Sequence, residues 1–297
     1  MILLRRSYSG LLCTSFLIFN LLCAINAAEL TPARGHYEKL ARLEAQPSAP
    51  NLPLDQQRFA TNPAFVEKVQ NLKQEFIRIP LDEIKLPACP ANSSQQTRAE
   101  IDYLLRLQEQ RTEAEGKRAL YFAPFGYSTT MKTSDPEFAA NQANLFYVGR
   151  SIGTWFDAKS LPLTAALVGR MWRDASYHVW SLKFKYARIR PWVIDPKVNN
   201  LENANWAAFP SGHSSYSHIL AYLYSELAPE FSDVLLTDAR NIAHSREIIG
   251  VHYPSDSEAG RVFARQFVNT LLQNDKFQTE FAKVREEWSR VRAESPD

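Results

Sequence analysis

From Asn62 onward, apolar residues recur at intervals of three and four, and strict alternation is rare. This pattern predicts helices rather than strands. Phe65, Val66, Val69, Leu72 and Phe76 mark a first helix, with Asn62 as its cap, Pro63 in its first turn and Pro80 as its stop. A second is predicted from Gln95 to Glu115, with Asn92, Ser93 and Ser94 as candidate caps and Ile101, Leu104 and Leu105 on the buried face. The stretch from Gly116 to Asp135 is rich in aromatic and hydroxyl residues and reads as looser. Helices are then predicted over 137–156, 161–186, 213–228, 232–248, 256–272 and 275–292, with breaks at Pro191, Pro210, Pro229 and Pro254. The expected fold class is all-α, a helical bundle.

The 297 residues are enough for one large core or two smaller ones. The first 27 look different from the rest: Arg5 and Arg6 precede an apolar run from Leu11 to Leu22, followed by the small residues of Ala24 to Ala28. That order predicts a secretory signal peptide over 1–27, hence a periplasmic or secreted protein. Residues 28–54, with Pro32, Pro47, Pro50 and Pro53, read as an N-terminal arm, and 55–297 as one all-α domain. No stretch beyond residue 30 approaches eighteen consecutive apolar residues, so the mature chain is expected to lack a membrane span.

Net charge is +2, with both signs interspersed. There is no basic block of the kind that binds nucleic acid. After signal removal only Cys89 remains, in the loop Pro87 to Pro90, where it is expected to be a small buried apolar residue rather than a nucleophile. Homo-oligomerisation is left open by the sequence.

Three segments carry chemistry. Lys183 and Arg190-Pro191 supply two cations, seven residues apart, which would share one side of a helix if it persisted that far, with Pro191 ending it. The plainer alternative is that these are two of many solvated bases, because Lys185 and Arg188 sit in the same run. Pro210-Ser211-Gly212-His213 opens a helical pattern, where Gly212 permits close backbone approach and first-turn N–H groups face an anion. Arg246 offers a planar fork for two oxygens. His252 and Asp256, four apart around Pro254, place an imidazole at a helix entrance and a carboxylate in its first turn, where the acid can fix the tautomer.

In order and spacing these segments read K-x6-R-P, P-S-G-H and S-R-x5-H-x3-D, with Ser245-Arg246 opening the third. At every fixed position the chain resembles the type 2 phosphatidic acid phosphatase superfamily, and within it the soluble class A bacterial nonspecific acid phosphatases, over about residues 140–292. It departs from that class in lacking a cysteine pair and in Trp206-Ala207-Ala208-Phe209, where those enzymes commonly carry Gly-Ser-Tyr.

The resemblance implies the helical bundle shared with vanadium haloperoxidases and a metal-independent hydrolysis of small phosphomonoesters with no cofactor. In it His252 attacks phosphorus to give a phosphohistidine, Asp256 holds His252, and His213 is general acid and then base. Lys183, Arg190, Ser211, Gly212 and Arg246 bind the phosphoryl oxygens. A vanadate-dependent haloperoxidase and a soluble lipid-phosphate phosphatase are the alternatives, with a catalytically silent phosphate-binding protein behind them. His36, His178, His218 and His244 have no matching motif, though His244 can line the pocket, and no pair of them has metal-site spacing. The aromatic stretch from Phe122 to Phe146, together with Tyr121, is the expected substrate wall.

Overall fold

The computed structural model describes residues 51–125, 134 and 136–295. The expected signal peptide, and all of the arm but residues 51–54, lie outside them. Eleven α-helices are described: α1 Leu52–Asp55, α2 Pro63–Gln70, α3 Gln95–Gln110, α4 Glu113–Tyr121, α5 Phe138–Leu145, α6 Pro162–Tyr186, α7 Pro191–Ile194, α8 Gly212–Leu227, α9 Ser232–Ile248, α10 Pro254–Leu271 and α11 Asp275–Glu294. A 3-10 turn, Pro229–Phe231, joins α8 to α9. Among the described residues there is no strand, and no helix is long and apolar enough to cross a membrane.

α8 is the central helix and is buried almost all round, which is why its sequence lacks a polar face. Small residues let its neighbours come close. Ser214 Oγ donates to the Ser257 carbonyl of α10 at 2.6 Å, and Ser217 Oγ to the Ala239 carbonyl of α9 at 3.2 Å. At Gly260 on α10 a Cβ would stand 2.7 Å from the Ser211 carbonyl and 2.9 Å from Ser215 N. The start of α8 therefore rests directly on α10. On the other side Tyr216 stacks on Trp172 of α6, with ring centroids 4.5 Å apart. α6 has no side-chain cap of its own; Glu287 of α11 accepts from the N–H groups of Leu163 and Thr164 at 2.7 and 2.9 Å and serves instead.

Several predicted boundaries shift, each for a local reason. The first helix stops at Gln70 rather than near Pro80, because Glu75, Phe76 and Ile77 turn their N–H groups to the Asp174 carboxylate at 2.7, 2.8 and 3.0 Å. The second stops at Gln110; Arg111 is extended, and Thr112 opens α4 through a capping box with Glu115, so residues 116–121 are helical rather than loose. The helix expected over 137–156 ends at Leu145, and Gly149 then adopts φ 94°, its N–H donating to Asp238 at 2.9 Å.

Candidate active site

α6 ends at Tyr186, with Ala187 left-handed at φ 45°. The expected helical continuation from Lys183 to Arg190 is thus absent, and Pro191 begins α7 instead of ending α6. The chain leaves the helix through Arg188 to Arg190, extended at Arg190, and pairs with the loop before α8, Ala208 N donating to the Arg188 carbonyl at 2.9 Å. This pairing returns Arg190 to the neighbourhood of Lys183. Lys183 Nζ donates to the carbonyls of Ala207 and Ala208 at 2.7 and 3.2 Å, while Arg190 donates to those of Trp206, Val251 and Ala207 at 2.7, 2.5 and 3.3 Å. Both cations are buried and hold the same loop.

Lys183, Arg190, Gly212, His213, Arg246 and His252 line one pocket. Ser211 is not in its lining: fully buried, it caps α8, its Oγ accepting from Ser214 N at 3.3 Å. A Cβ on Gly212 would meet Lys183 Cε at 3.9 Å and nothing closer than Tyr216 at 3.7 Å, so glycine there keeps space beside the first-turn amides rather than relieving a clash.

The His–Asp pair forms as the spacing suggested. His252 Nδ1 lies 3.0 Å from Asp256 Oδ2, which also accepts from Tyr253 N at 3.0 Å at the entrance to α10. Asp256 is locked from behind as well, since its backbone carbonyl accepts from Ser211 N at 2.9 Å. His213 Nε2 sits 3.2 Å from Arg246 Nη1 and 3.1 and 3.3 Å from the carbonyls of Phe122 and Ala123. Arg246 in turn donates to Glu202 Oε2 at 2.6 Å.

These surroundings set the charges. Burial, then the neighbouring Arg190, holds Lys183 well below its ordinary range. Burial likewise pushes both site histidines well below theirs, with Arg190 next for His252 and Arg246 next for His213. Burial alone would raise the Asp256 carboxyl, but Arg188, then His252, carry it below the usual carboxylate range. Buried cations gathered around one cavity, with two neutral imidazoles, favour an anion inside it.

Among the described residues the other histidines are structural, and His36 lies outside them. His178 accepts from Ile79 N at 2.9 Å, His218 Nδ1 faces the Ser214 carbonyl at 2.8 Å, and His244 pairs with Glu247 at 3.0 Å instead of lining the pocket. Cys89 is half-buried rather than buried, and burial pushes its thiol up to about 12.

Sequence reasoning missed four kinds of participant. Arg188 is not a solvated base; it is buried and bonds Asp256 Oδ1 at 2.7 Å. Its place in Arg188-Ile189-Arg190 was the available signal, because alternate residues of an extended segment can serve one site. Glu202 had no motif. Nor did the wall, which comes from Trp180, Trp206 and Tyr216, while Tyr121 is exposed and Phe122 and Ala123 contribute carbonyls. Residues 126–133 and 135 of the expected wall lie outside the described residues. Glu100, on α3, approaches the site from far upstream.

A family model described as the PAP2 superfamily matches residues 162–279. The chain is 31% identical over 161 residues to a non-specific acid phosphatase of Providencia stuartii, covering 52% of this chain and 64% of that protein. It is 32% identical over 143 residues to a non-specific acid phosphatase of Salmonella typhimurium, covering 46% and 57%. It thus spans less than two thirds of each relative's length. A solved bacterial vanadium-dependent iodoperoxidase shares the fold, with a TM-score of 0.56 at 18% identity over 79% of this chain and 64% of that one.

Proposed function

Given that residues 162–279 belong to the PAP2 superfamily, we propose that the protein is a phosphatase that hydrolyses small phosphomonoesters through a phosphohistidine, without a metal. The observation that carries this reading is the convergence of Lys183, Arg190, His213, Arg246 and His252 on one pocket, with Asp256 3.0 Å behind His252. The relatives' activity agrees with it.

In the first step the lone pair of His252 Nε2 forms a bond to phosphorus as the bond to the ester oxygen breaks. Asp256 accepts from Nδ1–H, which fixes that tautomer and stabilises the charge gained on attack. Lys183, Arg190, Arg246 and the Gly212 N–H hold the phosphoryl oxygens and stabilise the charge that builds on them, while Ser211, buried behind the pocket, fixes the turn that presents that amide. His213 gives its proton to the departing alcohol. In the second step it takes a proton from water, whose oxygen displaces His252 and releases phosphate.

A neutral nucleophile is available well into the acid range, because His252 is held below the ordinary histidine pKa. Burial, then Arg246 and His252, hold His213 low, so the proton needed at the leaving group is most abundant there too, on His213 or on the ester itself. Acid conditions therefore favour the reaction. The basic-apolar-small order of residues 1–28 supports export of the chain; N-terminal sequencing of the mature protein checks it.

Release of phosphate from p-nitrophenyl phosphate, with and without a chelator, tests the reading. Chelator-resistant turnover is expected, falling about 10³-fold or more in His252→Ala. A folded wild type that releases no phosphate would overturn it.

A further inference from the structure

Beneath the His252–Asp256 pair lies a second layer of charge, wholly buried and built partly from outside the matched family segment. Arg188 bridges two carboxylates: Nη1 donates to Asp256 Oδ1 at 2.7 Å and Nη2 to Glu100 Oε2 at 3.1 Å. Its plane lies over the Tyr253 ring, 3.8 Å from the centroid. Glu100, at 0% exposure, is fixed from the other side, Oε1 accepting from Ser255 N at 2.8 Å and Oε2 from Ser255 Oγ at 2.9 Å. Ser255 precedes Asp256, so the carboxylate grips the first turn of α10 where Asp256 stands.

Holding the first turn of α10 through Ser255 is one part of what Glu100 does; the other is to give Arg188 a second acceptor beside Asp256. That second acceptor sits at the hydrogen-bond network that orients His252. Lys183 and Arg190, beyond His252, face it across the pocket. With Glu100 present, the Arg188 guanidinium is divided between two acids rather than spent on one. Asp256 then stays a strong acceptor at Oδ2, the oxygen that meets His252 Nδ1.

We propose that Glu100 is a positioning residue of the site: acting through Arg188 and Ser255, it holds Asp256 with Oδ1 on the arginine and Oδ2 on the imidazole, and keeps Oδ2 a strong acceptor. The role rests on the phosphatase reading only for its catalytic consequence. α3 is then part of the active machinery, although it lies outside residues 162–279.

The Nδ1–H proton of His252 reports on this directly. It is observed by proton NMR of the full chain and assigned by its loss in His252→Gln. In Glu100→Gln, which keeps shape but replaces one acceptor oxygen with an amide nitrogen, the resonance is expected to move upfield as the bond to Asp256 weakens. Glu100→Asp, which keeps the carboxyl but retracts it by one methylene, moves it the same way by less, and carries the test alone if the glutamine variant does not fold. A resonance that stays in place, or moves downfield, overturns the proposal. Where p-nitrophenyl phosphate is turned over, Glu100→Gln lowers kcat about tenfold with KM little changed, the scale seen when an outer hydrogen-bond partner of a site is lost. Absence of turnover in the wild type would remove the phosphatase reading and leave the NMR result to stand or fall by itself.

Discussion

Glu202 places a carboxylate in a pocket otherwise furnished for anions, 2.6 Å from Arg246 Nη2. On the phosphatase reading, a phosphate entering the site meets the same guanidinium and is repelled by the same acid. Replacing Glu202 with Gln removes the repulsion while leaving an acceptor for Arg246, so inorganic phosphate should inhibit several-fold more tightly. Weaker inhibition would mean that Glu202 serves chiefly to orient the arginine. Cys89 gives the opposite kind of expectation. Its thiol is pushed up to about 12 and lies outside the candidate pocket, so Cys89→Ser should leave phosphate release unchanged, and iodoacetamide at neutral pH should not inactivate. At this scale the motifs foretold which residues share one pocket, Lys183, Arg190, Gly212, His213, Arg246 and His252 but not Ser211, because each motif encodes a side chain and its local frame together. His252 and Asp256 meet across one turn, which spacing alone dictates. Glu100, Glu202 and Trp180 were not legible: each reaches the site through tertiary packing and leaves no local periodicity.

Helix identity was legible where an apolar pattern and an N-terminal signal agreed. Asn62 with Pro63, and the start of α9 at Ser232, fall where the sequence placed them. Helix ends were less so, because distant acids decide several of them. Asp174 ends the influence of the apolar repeat at Leu72 and Phe76 by taking three main-chain N–H groups that a helix would otherwise use. Asp174→Ala should therefore cost about 3 kcal/mol or more, measured by denaturant unfolding, since it orphans those donors in the interior. The contact at Gly260 ties packing to the site. A methyl there meets the Ser211 carbonyl at 2.7 Å and must push α8 from α10, which separates the Ser211-Gly212-His213 turn from His252. Gly260→Ala should destabilise by about 1–3 kcal/mol and lower kcat as well. Lost stability with undiminished turnover would show that the two helices move together.

The whole molecule carries several histidines in its interior as neutral bases, and that sets how it responds to acid. His218 is the clearest: burial, with Arg261, Arg240 and Arg265 assisting and the Ser214 carbonyl opposing, lowers it from 6.5 to about 4. His178, His213 and His252 are shifted in the same direction. The unfolded chain takes up protons near pH 6.5 while the folded one declines them. Stability from these groups is therefore complete above that pH and lost as the pH falls toward the folded values. For His218 alone the loss between pH 6.5 and about 4 is about 3 kcal/mol. Thermal unfolding followed by circular dichroism should show Tm nearly flat above pH 7 and falling steadily below 6.5, with a shallower slope in His218→Asn. On the phosphatase reading this has a kinetic counterpart, because burial lowers His252 in the same direction as it lowers His218. The acid limb of activity should then follow the fraction of folded protein at the assay temperature, and stabilising the fold should move that limb to lower pH. A limb that stays fixed while Tm is raised would assign it to protonation within the site.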